Sequence, residues 1–129
     1  MDVVLAVIQN NKKVLIAQRA KKEKGLNNSV LTWVFPGGQV EENETKENAV
    51  IREVSEETGL KVRSPILISI RKHPQFPVLV HYYTFNITSN KTKPGKDIKQ
   101  LIWVNPEEIP NYFTTNFDSK VVKYLKAKK

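Results

Sequence analysis

The chain has no cysteine among its 129 residues, and acidic residues are scarce, with 13 against 21 basic ones. Without cysteine, disulfides and thiolate metal sites are excluded, while the redox compartment stays open. Long apolar runs are also missing. The stretch Val3–Ile8 is too short to span a bilayer, and no basic start or small-residue cleavage site accompanies it. We therefore expect a cytoplasmic protein without membrane contact, folded as a single domain over residues 1–129.

The few acids are concentrated in one short segment. Residues 41–57 contain seven of them, and only Lys46 and Arg52 oppose these charges. The formal net charge of the whole chain is +8, so the remaining chain is strongly basic. A basic body around an acidic cluster suits a polyanionic substrate that is delivered to a cation site. The alternative is an ordinary lysine-rich surface, which also explains the lysines of the C-terminal segment.

Apolar periodicity and turn residues predict an α/β layered domain. Strands are predicted at Val3–Gln9, Lys13–Ala20, Thr32–Phe35, Val62–Arg71, Val78–Ile87 and Gln100–Val104. Lys21–Asn28 and Asn90–Lys96 are predicted to be loops, and Pro36-Gly37-Gly38 is expected to stop a strand. Helices are predicted at Glu44–Thr58, which Gly59 ends, and at Asp118–Ala127. Asn105-Pro106-Glu107-Glu108 has the form of a helix start. Strands on both sides of one central helix indicate layered packing.

The central helix gathers three carboxylates on one edge. At about 100° per residue, Glu53, Glu56 and Glu57 fall within roughly a 100° arc beside Val50 and Val54. Like charges at these spacings destabilise a helix by a few tenths of a kcal/mol per pair, and a bound divalent cation would reverse that effect. Hard oxygen ligands without nearby Cys or His favour Mg²⁺ or Mn²⁺ over zinc. A merely solvated acidic helix is the alternative.

A longer pattern surrounds these glutamates. GQVEENE at residues 38–44 is followed, after seven residues, by REVSEETGL at residues 52–60. This pattern matches every fixed position of the Nudix box, and the whole chain resembles a minimal Nudix hydrolase with a MutT-type layout. The resemblance implies an α/β/α layered sandwich with a mixed β-sheet. It also implies an enzyme that hydrolyses a diphosphate linkage with the help of divalent cations.

The resemblance assigns roles to residues of the box. Glu53, Glu56 and Glu57 correspond to the metal-binding and catalytic glutamates, and the carbonyl of Gly38 to a further metal ligand. The remaining matches are Arg52, which orients the catalytic glutamates, Glu44, which supports the loop–helix–loop, and Gly59, which is structural.

Two candidates exist for the general base. In some family members the base lies within the box, which here means Glu53. In others it is an acid in the loop before a Trp-containing strand, and Asp97 stands six residues before Trp103. The alternative for Asp97 is a loop-capping acid.

Substrate contacts are predicted outside the box. Arg19 ends the second strand, where the family often meets a phosphate. Phe35 and Phe76 are candidates for contact with the substrate, although for Phe35 a place in the core is the competing interpretation.

These observations lead to one principal hypothesis and two alternatives. The first is Mg²⁺-dependent hydrolysis of a nucleoside triphosphate or damaged nucleotide, which releases pyrophosphate and a nucleoside monophosphate; Mn²⁺ is a possible substitute. The second is cleavage of ADP-ribose or another nucleoside diphosphate-linked substrate; Pro74 and Pro77 resemble the proline that ADP-ribose-cleaving members of the family carry beyond the box. The remote third is an inactive nucleotide- or RNA-binding module. We expect a small-molecule substrate, no nucleic-acid partner, and a monomer or homodimer.

Overall fold

The computed structural model describes residues 2–24, 30–73, 76–87, 91–113 and 119–127. Within these residues there are seven strands: β1 (Asp2–Asn10), β2 (Lys13–Lys24), β3 (Val30–Val34), β4 (Gly37–Gln39), β5 (Ile66–Lys72), β6 (Leu79–Asn86) and β7 (Ile98–Val104). Two α-helices, α1 (Lys46–Thr58) and α2 (Ser119–Ala127), accompany a short 3-10 helix at Pro106–Asn111. No helix in these described ranges is long and apolar enough to cross a membrane.

The strands form one mixed sheet, in which β1 and β2 diverge after a short paired segment. Its central path runs β3-β2-β1-β6-β5, and β1 and β6 are parallel whereas the other pairings are antiparallel. The strands β1 and β2 pair only at their hairpin end, where Gln9 lies opposite Val14. Beyond that point β1 pairs with β4 and β2 pairs with β7. The divergence places β4, with its two glycines, beside the start of β1.

Alternating side chains of β1 build a core on each face of the sheet. Val4, Ala6 and Ile8 point to one face and pack with Val50 and Val54 of α1. Val7 belongs to the cluster on the other face, which includes Phe35 and residues of α2. This alternation is the period of two expected of a strand that is buried on both sides. The predicted α/β/α sandwich with a mixed sheet is therefore confirmed.

The structure corrects three predicted boundaries. Residues 21–24 are strand and not loop, because the backbone of Glu23 and Lys24 pairs with β3 after a register shift. The fifth strand begins at Ile66 and not at Val62, since the backbone of Ser64 has a positive φ of 53°. Gly37 and Gly38, predicted together with Pro36 to stop a strand, belong to the short strand Gly37–Gln39 because β1 offers it a pairing edge.

The helices follow the predicted signals closely. Helix α1 begins at Lys46, two residues later than predicted, since Thr45 caps it by accepting a hydrogen bond from the Asn48 N–H at 3.1 Å. The predicted helix start at Asn105 is a 3-10 helix, whose Glu108 carboxylate accepts a hydrogen bond from the Asn105 N–H. Residues 25–28 of the predicted loop, Asn90, Pro74 and Asp118 lie outside the described residues.

Candidate active site

Helix α1 presents its glutamates at the place where it meets β4. Glu53 and Glu57 are buried at 3% and 4% exposure, whereas the side chain of Glu56 is 40% exposed. The helix ends at Gly59, whose left-handed φ of 75° suits glycine and whose N–H donates to the Ser55 carbonyl. Along one side of α1, the carboxylates of Glu53 and Glu57 are thus buried and that of Glu56 is partly exposed. We call these three groups the carboxylate edge.

The two glycines of β4 bring the backbone against this edge. The Gly37 N–H donates a hydrogen bond of 3.0 Å to Oε1 of Glu57. A Cβ atom at position 38 would lie 2.8 Å from Cδ of Glu53, so only glycine leaves room for that carboxylate. The Gly38 backbone thus lies beside Glu53, where its carbonyl was predicted to be a metal ligand; that role stays a prediction.

Arg52 joins the carboxylate edge to the loop before the helix. Its Nε donates to Oε2 of Glu44 at 2.7 Å and its Nη2 to Oε1 of the same carboxylate at 3.0 Å, a bidentate pair. Its Nη1 donates to Oε1 of Glu53 at 2.8 Å and lies 3.4 Å from the Glu56 carboxylate. Nη2 also reaches the Gln39 carbonyl at 3.3 Å. One guanidinium therefore fixes the loop, β4 and two glutamates together.

A second cation, which sequence reasoning missed, enters the site from the loop before β7. Nζ of Lys96 lies 3.3 and 3.4 Å from the two carboxylate oxygens of Glu53 and 3.2 Å from Oε2 of Glu56. The loop is fastened to the end of α1, because the N–H groups of Lys93 and Gly95 donate to the carbonyls of Thr58 and Glu57.

The available signal for Lys96 was Gly95. A Cβ at position 95 would collide with the backbone carbonyl oxygen of Glu56, so glycine allows the loop to lie directly on the helix end. Lys96 follows it with a positive φ of 51°. A glycine next to a lysine in a loop before the Trp-containing strand is a pattern too common to have predicted this contact.

Burial and neighbouring charges shift the pKa values of Glu57 and Glu56 in opposite directions. Burial raises the pKa of Glu57 to about 8, with a further contribution from neighbouring Glu53, while the Gly37 N–H opposes the rise. For Glu56, burial raises the pKa, but hydrogen bonds from Lys96 and Arg52 outweigh it and the net pKa is lowered. The two pKa shifts differ in sign because Glu57 is enclosed in the core, whereas Glu56 lies beside two cationic side chains.

Arg19 and Asp97, two other predicted site residues, differ in their burial and in their contacts. Arg19 is half-buried, and its charge is close enough to lower the pKa of Glu57. Asp97 is exposed, and its backbone carbonyl accepts a hydrogen bond from the Ala20 N–H. Lys96, directly before Asp97, places its side-chain ammonium against the carboxylates of Glu53 and Glu56.

The two predicted aromatic contacts differ sharply. Phe35 is only 2% exposed, and its ring packs edge-on against Phe113 and Tyr82 with centroids 5.0 and 6.4 Å apart. These contacts agree with the alternative that Phe35 belongs to the core, and they leave the ring little surface for a substrate. Phe76 is 47% exposed, with its ring 4.9 Å from that of His73. Its substrate contact stays a prediction.

The donor chemistry of the carboxylate edge fits a hard divalent cation. Three glutamate carboxylates and a neighbouring backbone carbonyl offer oxygen ligands, which Mg²⁺ and Mn²⁺ prefer. Within the described ranges, no three His, Cys, Asp or Glu side chains stand in a ready metal-binding arrangement. Lys96 lies on oxygens of both Glu53 and Glu56, so a cation that used those oxygens would have to displace its ammonium.

Comparison with known proteins agrees with this geometry. The family model described as NUDIX domain matches residues 1–125. The chain belongs to the Nudix hydrolase family. The MutT protein of Methanosarcina mazei, a solved structure, superposes with a TM-score of 0.71 at 23% identity over 98% of this chain and 91% of its own, which shows a shared fold.

Curated Nudix relatives have pyrophosphohydrolase and diphosphatase names. The CTP pyrophosphohydrolase of Escherichia coli is 28% identical over 87% of this chain and 81% of its own. A putative 8-oxo-dGTP diphosphatase of Bacillus subtilis is 28% identical, over 85% and 69%. An ADP-ribose pyrophosphatase of Methanocaldococcus jannaschii is 31% identical, over 81% of this chain and 61% of its own length. This Nudix chain is therefore an enzyme of the hydrolase class.

Proposed function

We propose that this Nudix enzyme hydrolyses a phosphoanhydride bond of a nucleoside triphosphate or damaged nucleotide, releasing pyrophosphate and a nucleoside monophosphate. The supporting observation is the carboxylate edge, where Glu53 and Glu57 are buried against the glycines of β4. The names of the E. coli and B. subtilis relatives support a nucleotide substrate.

In this proposal Mg²⁺ is the physiological cation, with Mn²⁺ as a substitute. Glu53, Glu56, Glu57 and the Gly38 carbonyl would hold it. When bound, the cation neutralises charge on the diphosphate oxygens, which is the main requirement of phosphoryl transfer. The Arg52 guanidinium keeps Glu53 and Glu44 in fixed positions, so the carboxylate edge is oriented before a substrate arrives.

Other residues of the chain would receive the substrate and its proton. Arg19, whose charge acts on Glu57, supplies a positive group for a phosphate oxygen. Glu53 or Asp97 would accept the proton of the attacking water. Because Glu53 would also hold the cation, its amide variant should lose activity in either case, and Asp97→Asn is the decisive variant: turnover persists if Glu53 is the base and falls if Asp97 is.

The experiment is a panel of nucleoside triphosphates and oxidised nucleotides incubated with Mg²⁺, with pyrophosphate and monophosphate measured separately. Hydrolysis in ¹⁸O-labelled water then identifies the phosphorus that is attacked. We expect Glu57→Gln to lower turnover more than about a hundredfold, since a ligand should matter at least as much as its supporting partners. The matched control Glu42→Gln removes an exposed acid of the same segment and should retain activity. Turnover of no triphosphate would contradict the proposal.

A second candidate is hydrolysis of ADP-ribose or a related nucleoside diphosphate derivative. The M. jannaschii relative, an ADP-ribose pyrophosphatase, favours it. Of the two prolines that suggested it, Pro77 is exposed in the turn before β6 and Pro74 is outside the described residues. Release of AMP and ribose phosphate from ADP-ribose, with triphosphates left intact, would favour this candidate over the first.

A further inference from the structure

Lys96 occupies the same carboxylate oxygens that the proposed cation would need. Its ammonium lies between Glu53 and Glu56, within 3.2–3.4 Å of oxygens on both. The Lys96 side chain is 44% exposed, so it can leave this position into solvent without unfolding the loop. Arg52 also contacts both of these glutamates through Nη1, but its further bonds to Glu44 and the Gln39 carbonyl fix it to the loop before the helix.

The backbone around Lys96 holds the ammonium near the edge but does not require it. The N–H groups of Lys93 and Gly95 fasten the loop to the helix end through main-chain bonds alone. Loss of the Lys96 side chain leaves those bonds intact. The position of the loop and the charge that it delivers are therefore separable by mutation.

We propose that Lys96 is a positioning residue that serves as an internal counter-cation: it holds Glu53 and Glu56 in the metal-free enzyme and exchanges with the divalent cation on binding. The proposal rests on the proposed cation site. It concerns how the glutamates of that site are held in position when no metal is bound. Without a cation, Glu53 and Glu56 would repel each other at i,i+3 on the helix, and the ammonium relieves this repulsion.

Exchange makes a prediction opposite in sign to that of a purely structural lysine. A competing ammonium must be displaced, so its removal strengthens metal binding. A lysine that only braces the site would, when removed, weaken binding or leave it unchanged. Lys96→Met keeps most of the chain length and removes the charge, whereas Lys96→Arg keeps the charge.

The experiment measures Mn²⁺ binding to the metal-free protein, without substrate, by calorimetry and by electron paramagnetic resonance. We expect Lys96→Met to bind Mn²⁺ about fivefold to tenfold more tightly than the wild type, the size expected for release of two partly exposed ion pairs. Lys96→Arg should retain the wild-type affinity. Lys93→Met, which removes an exposed charge from the same loop, should change the affinity less than about twofold because salt screens it.

Thermal melting supplies a second readout. Metal-free Lys96→Met should melt at a lower temperature than the wild type, and Mn²⁺ should raise its melting temperature by a larger increment. Equal or weaker Mn²⁺ binding by Lys96→Met, or tighter binding by Lys96→Arg as well, would overturn the role of Lys96. If neither the wild type nor any variant binds Mn²⁺, the cation site itself fails, and both proposals fall with it.

Discussion

The two faces of the central sheet use burial in different ways. Under α1, buried carboxyl groups lie next to apolar side chains, and Glu53 and Glu57 are nearly as inaccessible as Val50 and Val54. Under α2, the cluster around Phe35 is built from aliphatic and aromatic groups. A buried charge is costly unless it is paired, whereas a buried ring needs only close packing. The first face therefore depends on specific partners, and the second on shape and volume.

Removing a ring from the apolar face should have the largest effect on stability. Phe35→Ala is expected to lower the free energy of unfolding by about 3–5 kcal/mol, because the cavity beside Tyr82 and Phe113 cannot close fully. Urea denaturation measures this loss, and Phe35→Leu supplies a milder variant that folds. Phe76→Ala is the matched control: its ring is exposed, so the change should stay within about 0.5 kcal/mol.

Phe35→Leu and Phe76→Ala also test the predicted substrate contacts. If Phe35 belongs only to the core, folded Phe35→Leu keeps the KM of the wild type. If Phe76 contacts the substrate, Phe76→Ala raises KM without a loss of stability. A raised KM for Phe35→Leu would instead restore the substrate role of Phe35.

Altering the partner network on the polar face should affect activity more than stability. Arg52→Lys keeps the charge but loses the bidentate pairing with Glu44 and the additional bond to Glu53. We expect kcat to fall by about 10- to 100-fold, the usual effect of losing a group that orients ligands. Steady-state kinetics at saturating Mg²⁺ measure the change. Arg63→Lys, at an exposed position, serves as the control, and an equal loss in both variants would contradict the orienting role.

The smallest expected effect is a pH dependence at the border of the polar face. The Arg52 guanidinium hydrogen-bonds to Glu44 and lowers its pKa below the ordinary 4.5. A carboxyl with a lowered pKa stabilises the fold above its ordinary pKa, and that contribution disappears as pH falls through the lowered value. The stability difference between wild type and Glu44→Gln should therefore be largest near neutral pH and shrink below about pH 4.5. Melting curves across pH measure it, with Glu42→Gln as a control that shows no such trend.

Much of the fold and of the carboxylate edge followed from local patterns. The prediction of helix α1 and of its end at Gly59 needed only the local sequence. The common edge of Glu53, Glu56 and Glu57 follows from the spacing of these residues along one helix. The MutT-type resemblance supplied the layered architecture, and the alternation in β1 agrees with it.

Contacts between distant segments could not be predicted in the same way. The short strand β4 exists because β1 offers an edge, and its own residues carry only a turn signal. Lys96 reaches Glu53 because the loop before β7 lies on the end of α1, a juxtaposition encoded by packing and not by spacing. The site role predicted for Asp97 stays a prediction, and the contact of its neighbour Lys96 with the glutamates is what the spacing did not reveal.

The parallel pairing of β1 with β6 has a kinetic consequence. Asp2 lies opposite Leu79, so the centre of the sheet joins segments that are far apart along the chain. Closing such a long loop has an entropic cost before any pairing can compensate for it, and folds rich in distant contacts form slowly. Until β6 arrives, the apolar strand β1 pairs with β2 and β4 along one edge, while its other edge is transiently exposed. A newly made chain is therefore most vulnerable to association with other chains before β6 is in place.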